Sequence, residues 1–183
     1  GRYQGVFPIK CNQQRHVVEH LVDCGQRWSF GLEAGSKAEL LIALALIEDQ
    51  QALLICNGYK DRRYIETAIL ARRLGHQPVV VIEQADEIQR IIEASKELGA
   101  SPFIGIRAKL SSRSTGRWGS SVGSRAKFGL DLSEMLQTVQ ALEEAGLLQD
   151  LRLLHFHIGS QINDIAVLKD ALQEAGQIYV ELT

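Results

Sequence analysis

The sequence predicts an α/β protein of about six successive strand–helix units, the arrangement of a partial TIM-type (β/α)8 barrel. Three observations predict it. Short apolar runs rich in Val, Ile, Leu and Phe recur at a spacing of roughly 25 residues, hydrophobic on consecutive positions as strands covered on both faces are. Segments with the helical spacing of apolar residues lie between them. Polar residues stand at the ends of almost all the runs, where a parallel barrel gathers its ligands.

The strand candidates are residues 5–11, 28–33, 52–57, 78–83, 103–110 and 151–158. Helical patterns cover 36–47, 61–74, 87–98 and 133–145. The first helix opens with Ser36 and Glu39 at the spacing of a capping box. The second is capped by Asp61 and stopped by Gly75, and the last opens on Ser133-Glu134 and closes at Gly146. Strand and helix alternating in this way means parallel βα units. One interval breaks the rhythm. The segment 110–131 is rich in Gly, Ser and Arg, and loops longer than about 12–15 residues are often functional. An open, doubly wound sheet satisfies the same periodicity; in either architecture ligands belong at the C-terminal strand ends.

The 183 residues carry a net charge of −2, with 45% hydrophobic and 23% charged residues, which argues for a globular chain and against disorder. The charge balance leaves no footprint for nucleic acid or an anionic membrane. Three cysteines without CxxC spacing argue against a disulfide framework or a structural zinc site. No run is long and apolar enough to span a bilayer and no signal-peptide pattern opens the chain, so the cytoplasm is the expected compartment. Both ends read as interrupted. Residues 1–5 lead straight into a strand, and 177–183 stop within a helix-like pattern. The expectation is one incomplete barrel domain, 1–183, of a longer protein.

Lys10 is the most informative strand-end residue. A lysine closing an apolar strand is expected to be desolvated, which makes its amine a Schiff-base nucleophile; the structural alternative is a rim lysine that reaches water. His155 and His157 lie two apart on a strand and share a face. They suit a metal pair, a general base, a ring packed on a cofactor, or a pair of hydrogen-bonded core histidines; with no third ligand evident, metal is the weakest of these. Gly159-Ser160 offers a small turn and a hydroxyl suited to a phosphate oxygen. Glu33 is an acid at a buried strand end, able to balance a cation, and Arg107 could pair with it or with a phosphate. For each the plain alternative is an ion pair inside the barrel. Trp28 begins a strand and is expected in the core; Trp118, in the Gly/Ser segment, could cover a substrate or anchor the loop.

Six segments in order resemble one family: FPIKCNQQRHVVEHL (7–21), GLEAGSKAEL (31–40), CNGYKDRRYI (56–65), GIRAKLSS (105–112), RWGSSVGSRAKFGL (117–130) and LLHFHIGSQ (153–161). They resemble the biosynthetic, bacterial-type arginine decarboxylases, which belong with the ornithine and diaminopimelate decarboxylases among fold-type III, alanine-racemase-fold pyridoxal-phosphate enzymes. FPIKCNQ and the Gly/Ser insert point to the arginine branch. The resemblance implies a pyridoxal-phosphate-binding barrel and decarboxylation of L-arginine to agmatine and CO2, a step of polyamine and spermidine synthesis. It implies that Lys10 carries the cofactor and acts in catalysis with His157, which stacks on the pyridine ring. Ser160 would contact the phosphate, Glu33 would sit beside the cofactor, and Arg107 would line the same pocket. It also implies a homo-oligomer and a magnesium requirement. The glycine-rich phosphate loop, the acid for the pyridine nitrogen and a β-rich domain that sets substrate choice have no counterpart in these residues. The segment alone is therefore expected to lack activity and to associate through unpaired edges. Alternatives are a diaminopimelate- or ornithine-type decarboxylase or a racemase of this fold, an unrelated phosphate-binding barrel lyase that uses Lys10 differently, and a non-catalytic homologue that binds a partner. The last is disfavoured by the presence of Lys10 and His157.

Overall fold

The computed structural model describes residues 3–110, 128–159 and 162–182. Among these residues six strands form one sheet: β1 (Val6–Pro8), β2 (Gly31–Ala34), β3 (Leu53–Cys56), β4 (Gln77–Ile82), β5 (Phe103–Ala108) and β6 (Leu151–Phe156). Six α-helices follow them: α1 (Arg15–Gly25), α2 (Lys37–Leu46), α3 (Arg62–Arg73), α4 (Glu87–Leu98), α5 (Leu132–Glu144) and α6 (Ile165–Glu181). The strand order is β1-β2-β3-β4-β5-β6 and every pairing is parallel. A doubly wound sheet reverses its order at a switch point. This one never reverses, so the doubly wound alternative falls. Among the described residues the sheet stays open between β1 and β6, as in a partial (β/α)8 barrel.

Alternation along the strands divides two apolar layers. Leu54, Cys56, Val80, Ile82, Ile104 and Ile106 pack outward into the main core with Val18, Leu40, Ile65, Ile69 and Ile91 of the helices. Ile55, Val79, Val81 and Phe103 form a second cluster on the concave face, with Val6, Leu53 and Leu153 against it. Burying both faces is why these strands read as continuous hydrophobic runs.

Several expectations are corrected. The first strand ends at Pro8, and Lys10 lies in a 3-10 turn, Ile9–Cys11, with its side chain exposed. Asn12 N–H closes that turn on the Ile9 carbonyl, and the fully buried Ile9 anchors it, which directs the neighbouring Lys10 away from the core. The desolvation expected of Lys10 is therefore not supplied by the described residues. Trp28 is not in the core. It ends a 3-10 turn, is 55% exposed, and has the Arg27 guanidinium 3.7 Å from its ring centre. Only half of the capping box at α2 forms: Ser36 accepts from the Glu39 N–H, but Glu39 Oε2 accepts from Gly35 N–H at 2.7 Å. The complete box belongs to α5, where Asp131 rather than Ser133 is the cap and Glu134 reciprocates. Helix α1 carries no side-chain cap at Gln14, so no local signal announces it.

Candidate active site

Continuing each concave-face row past its apolar residues gives a polar ring at the C-terminal strand ends. Beyond Leu53 and Ile55 comes Asn57; beyond Val79 and Val81 comes Glu83; beyond Phe103 and Gly105 comes Arg107; beyond Leu153 come His155 and His157. Glu33 closes β2 in the same way. These side chains and Lys10 line one cleft of about 430 Å³, within the usual range for small-molecule sites. The strand order puts the Lys10 turn at one end of the ring and the histidines at the other.

Arg107 Nη1 donates to Glu83 Oε1 in a close ion pair. The partner expected from the sequence was Glu33 or a phosphate, and the structure gives Glu83, on the neighbouring strand. Burial pushes the half-buried Glu33 carboxyl above its ordinary value, against the pull of Lys10 and Arg107. Burial also drives the His155 imidazole down to about 4, assisted by the charge of Arg107. His157 is more open to solvent; partial desolvation, then Arg107 and Lys10, lower it. Asn57 Nδ2 lies 3.4 Å from His155 Nε2.

The structure thus brings Lys10, Glu33, Arg107 and His157 together. Ser160 and Trp118 lie outside the described residues. Sequence reasoning overlooked Glu83 and gave Asn57 no role. The signal was present: Glu83 continues the period-two row Val79, Val81 onto the same face. No group of three or more His, Cys, Asp or Glu among the described residues is arranged to hold a metal ion. No helix among them is long and apolar enough to cross a membrane.

A profile of the family described as pyridoxal-dependent decarboxylase, pyridoxal binding domain, matches residues 1–183. The chain belongs to this family. Its pyridoxal-binding domain is 82% identical, over all 183 residues, to the biosynthetic arginine decarboxylase of Parasynechococcus marenigrum, of which it covers 28%. The crystal structure of the biosynthetic arginine decarboxylase from Campylobacter jejuni matches the whole domain with a TM-score of 0.88 at 41% identity, again over 28% of that chain. The diaminopimelate decarboxylase of Helicobacter pylori complexed with L-lysine has a TM-score of 0.76 at 23% identity over the whole domain and 44% of its own length, a likeness of fold. The domain therefore spans little more than a quarter of the length of the arginine decarboxylases it matches.

Pyridoxal phosphate is the cofactor of the family, and the residues present fit it. An aldehyde needs an amine, and Lys10 lines the cleft. A flat ring needs an uncharged surface, which the lowered imidazole of His157 offers. Asn57 Oδ1 and His155 Nδ1 are buried and have no hydrogen-bond partner among the described residues, so the cleft wall retains unused polar capacity. Among the described residues Arg107 bonds through Nη1 to Glu83, and the remaining donors of its fork suit an anion.

Proposed function

We propose that the protein containing this domain decarboxylates L-arginine to agmatine and CO2, a step of polyamine synthesis, and that residues 1–183 form an incomplete part of its cofactor-binding barrel. The observation that carries this reading is the meeting of Lys10, Glu33, Arg107 and His157 in one cleft at the strand ends of a family barrel. Arginine as substrate is supported by the names of the relatives at 82% and 41% identity.

In this reading Lys10 would hold the cofactor through its amine, His157 would lie against the pyridine ring, and Arg107 would face an anionic group. The bound cofactor supplies an electron sink for the pair left when CO2 departs. The residues do the rest. Glu33, raised by burial, holds its proton to a higher pH than an ordinary carboxylate and can stabilise a neighbouring cation once ionised. Lys10 sits on an exposed turn, where its amine would also be free to move a proton at the substrate carbon. The ring of His157, its basicity lowered, would cover the cofactor without adding a competing cation. We further propose a cytoplasmic homo-oligomer; a magnesium requirement rests on the family resemblance alone.

The full-length protein tests this directly. A panel of basic amino acids and diaminopimelate is expected to show turnover of arginine, with agmatine as product. The wild type should show the visible absorbance of a Schiff base and Lys10→Ala should lack it. Turnover of diaminopimelate or ornithine in preference to arginine would overturn the substrate, and absorbance unchanged in Lys10→Ala would overturn the site.

A further inference from the structure

Behind Arg107 lies a row of charges that the proposed chemistry does not use. Lys60, just past β3, has a side chain with no exposed surface. Its Nζ donates to the Gly58 carbonyl, lies 3.0 Å from Glu87 Oε1 and lies 3.8 Å from Glu83 Oε2. The other oxygen of Glu83 is the one that holds Arg107. Glu87, in the first turn of α4, also accepts the Glu83 backbone N–H at 2.8 Å. A connected row therefore runs Glu87, Lys60, Glu83, Arg107, from the start of α4 into the cleft, with two charges of each sign.

Stability alone gives this row little reason to exist. Burying ions costs several kcal/mol each before pairing recovers it, and apolar residues of similar volume often serve folding as well or better. The row does have a geometric result. Glu83 has one carboxylate oxygen toward Lys60 and the other on Arg107, so it cannot rotate without breaking one of the two contacts. The carbonyl that Lys60 takes belongs to a position only glycine fits: Gly58 has φ +82°, and a Cβ there would lie 2.5 Å from the Gly35 carbonyl oxygen. Lys60 thus secures the loop beside Asn57, which touches His155, and the acid that holds Arg107. Without its ammonium, Glu83 would keep Arg107 as its ion-pair partner but lose the contact that fixes its other oxygen, and the guanidinium would no longer be held in one place.

We infer that Lys60 is a positioning residue: from between Glu87 and Glu83 it fixes the Glu83 carboxylate on Arg107 and so sets where the guanidinium meets an anionic group of the cofactor or substrate. This rests on the cleft being the pyridoxal-phosphate site. A double-mutant cycle in the full-length enzyme tests it, read as the dissociation constant for pyridoxal phosphate from its visible absorbance. Lys60→Met is expected to weaken binding about tenfold with Arg107 in place and less than about twofold in an Arg107→Met background. A general loss of folding stability would weaken binding equally in both. Equal losses overturn the inference and leave the site reading intact. If Arg107→Met alone leaves the constant unchanged, both fall together. Should Lys60→Met not fold, Glu83→Gln cuts the row at its middle while Lys60 stays paired with Glu87. Its loss of binding should likewise shrink in the Arg107→Met background, and equal losses again overturn the inference.

Discussion

His155 shows how the site's environment acts on one side chain. Its folded value of about 4 lies below the ordinary 6.5, so as pH falls the unfolded ring takes up its proton first. The stability linked to the neutral ring is complete above about pH 6.5 and is lost as pH falls toward about 4. Glu33 and Glu87 are shifted upward, burial being the leading cause for each, and act in the opposite sense: the folded state takes up their protons first, which adds stability as pH falls. A comparison of variants separates the two. Urea unfolding of the cofactor-free, full-length protein should show the wild type losing stability relative to His155→Gln between about pH 7 and about pH 4.5. A difference that does not change with pH would mean that the ring is not desolvated as described. The histidine pair, Glu33 and Arg107 were legible in the sequence because each ends an apolar run. The partner of Arg107 was not, since it depends on which strand lies alongside, and Glu83 is adjacent only through the β4–β5 register. The exposure of Lys10 was hidden too, because the run 5–11 stays apolar through Ile9 while the backbone has already turned.

Elements were easier to find than to bound. All six strands were visible as apolar runs, yet β1 stops three residues short of its run and β2 starts three residues late. The late start follows from the 3-10 turn Gln26–Trp28 and the left-handed Ser29 after it, and the strand then opens on a glycine. A Cβ at Gly31 would lie 2.2 Å from the carbonyl oxygen of Leu53, so β2 can approach β3 at this point only with glycine. Backbone cannot swing aside as a side chain can. Gly31→Ala is therefore expected to cost about 1–3 kcal/mol, through separation of the two strands. Gly105→Ala in β5 makes the control, because there the new Cβ would meet the Leu153 and Val81 side chains at 3.2–3.3 Å, and side chains can yield. Its cost should be the smaller of the two by chemical denaturation. Equal costs would show that the β2–β3 approach is not the constraint. One helix start misled for a related reason: the sequence reading opened α5 on Ser133-Glu134, and the reciprocal bond of Glu134 to the Asp131 N–H puts the cap at Asp131.

At the scale of the whole molecule, the same sequential winding that gathers the site leaves two edges. β1 pairs with β2 and β6 with β5, and among the described residues the sheet does not close between them. Beside that opening β6 has no fully buried residue, and α6 exposes Ile165 at 81% and Leu172 at 55%. Unpaired strand edges beside apolar surface are templates for pairing with another chain. The proposed incomplete barrel therefore has a consequence for residues 1–183 produced alone. Analytical ultracentrifugation should show mass rising with concentration, and added pyridoxal phosphate should give no stable visible absorbance, because one flank of the cleft is unsupported. The two outcomes have one cause and should appear together. A monomer at every concentration that also binds the cofactor and forms agmatine would show that these six strands complete the site without further chain. The full-length protein should then be insensitive to substitutions that disrupt pairing at the outer edge of β6.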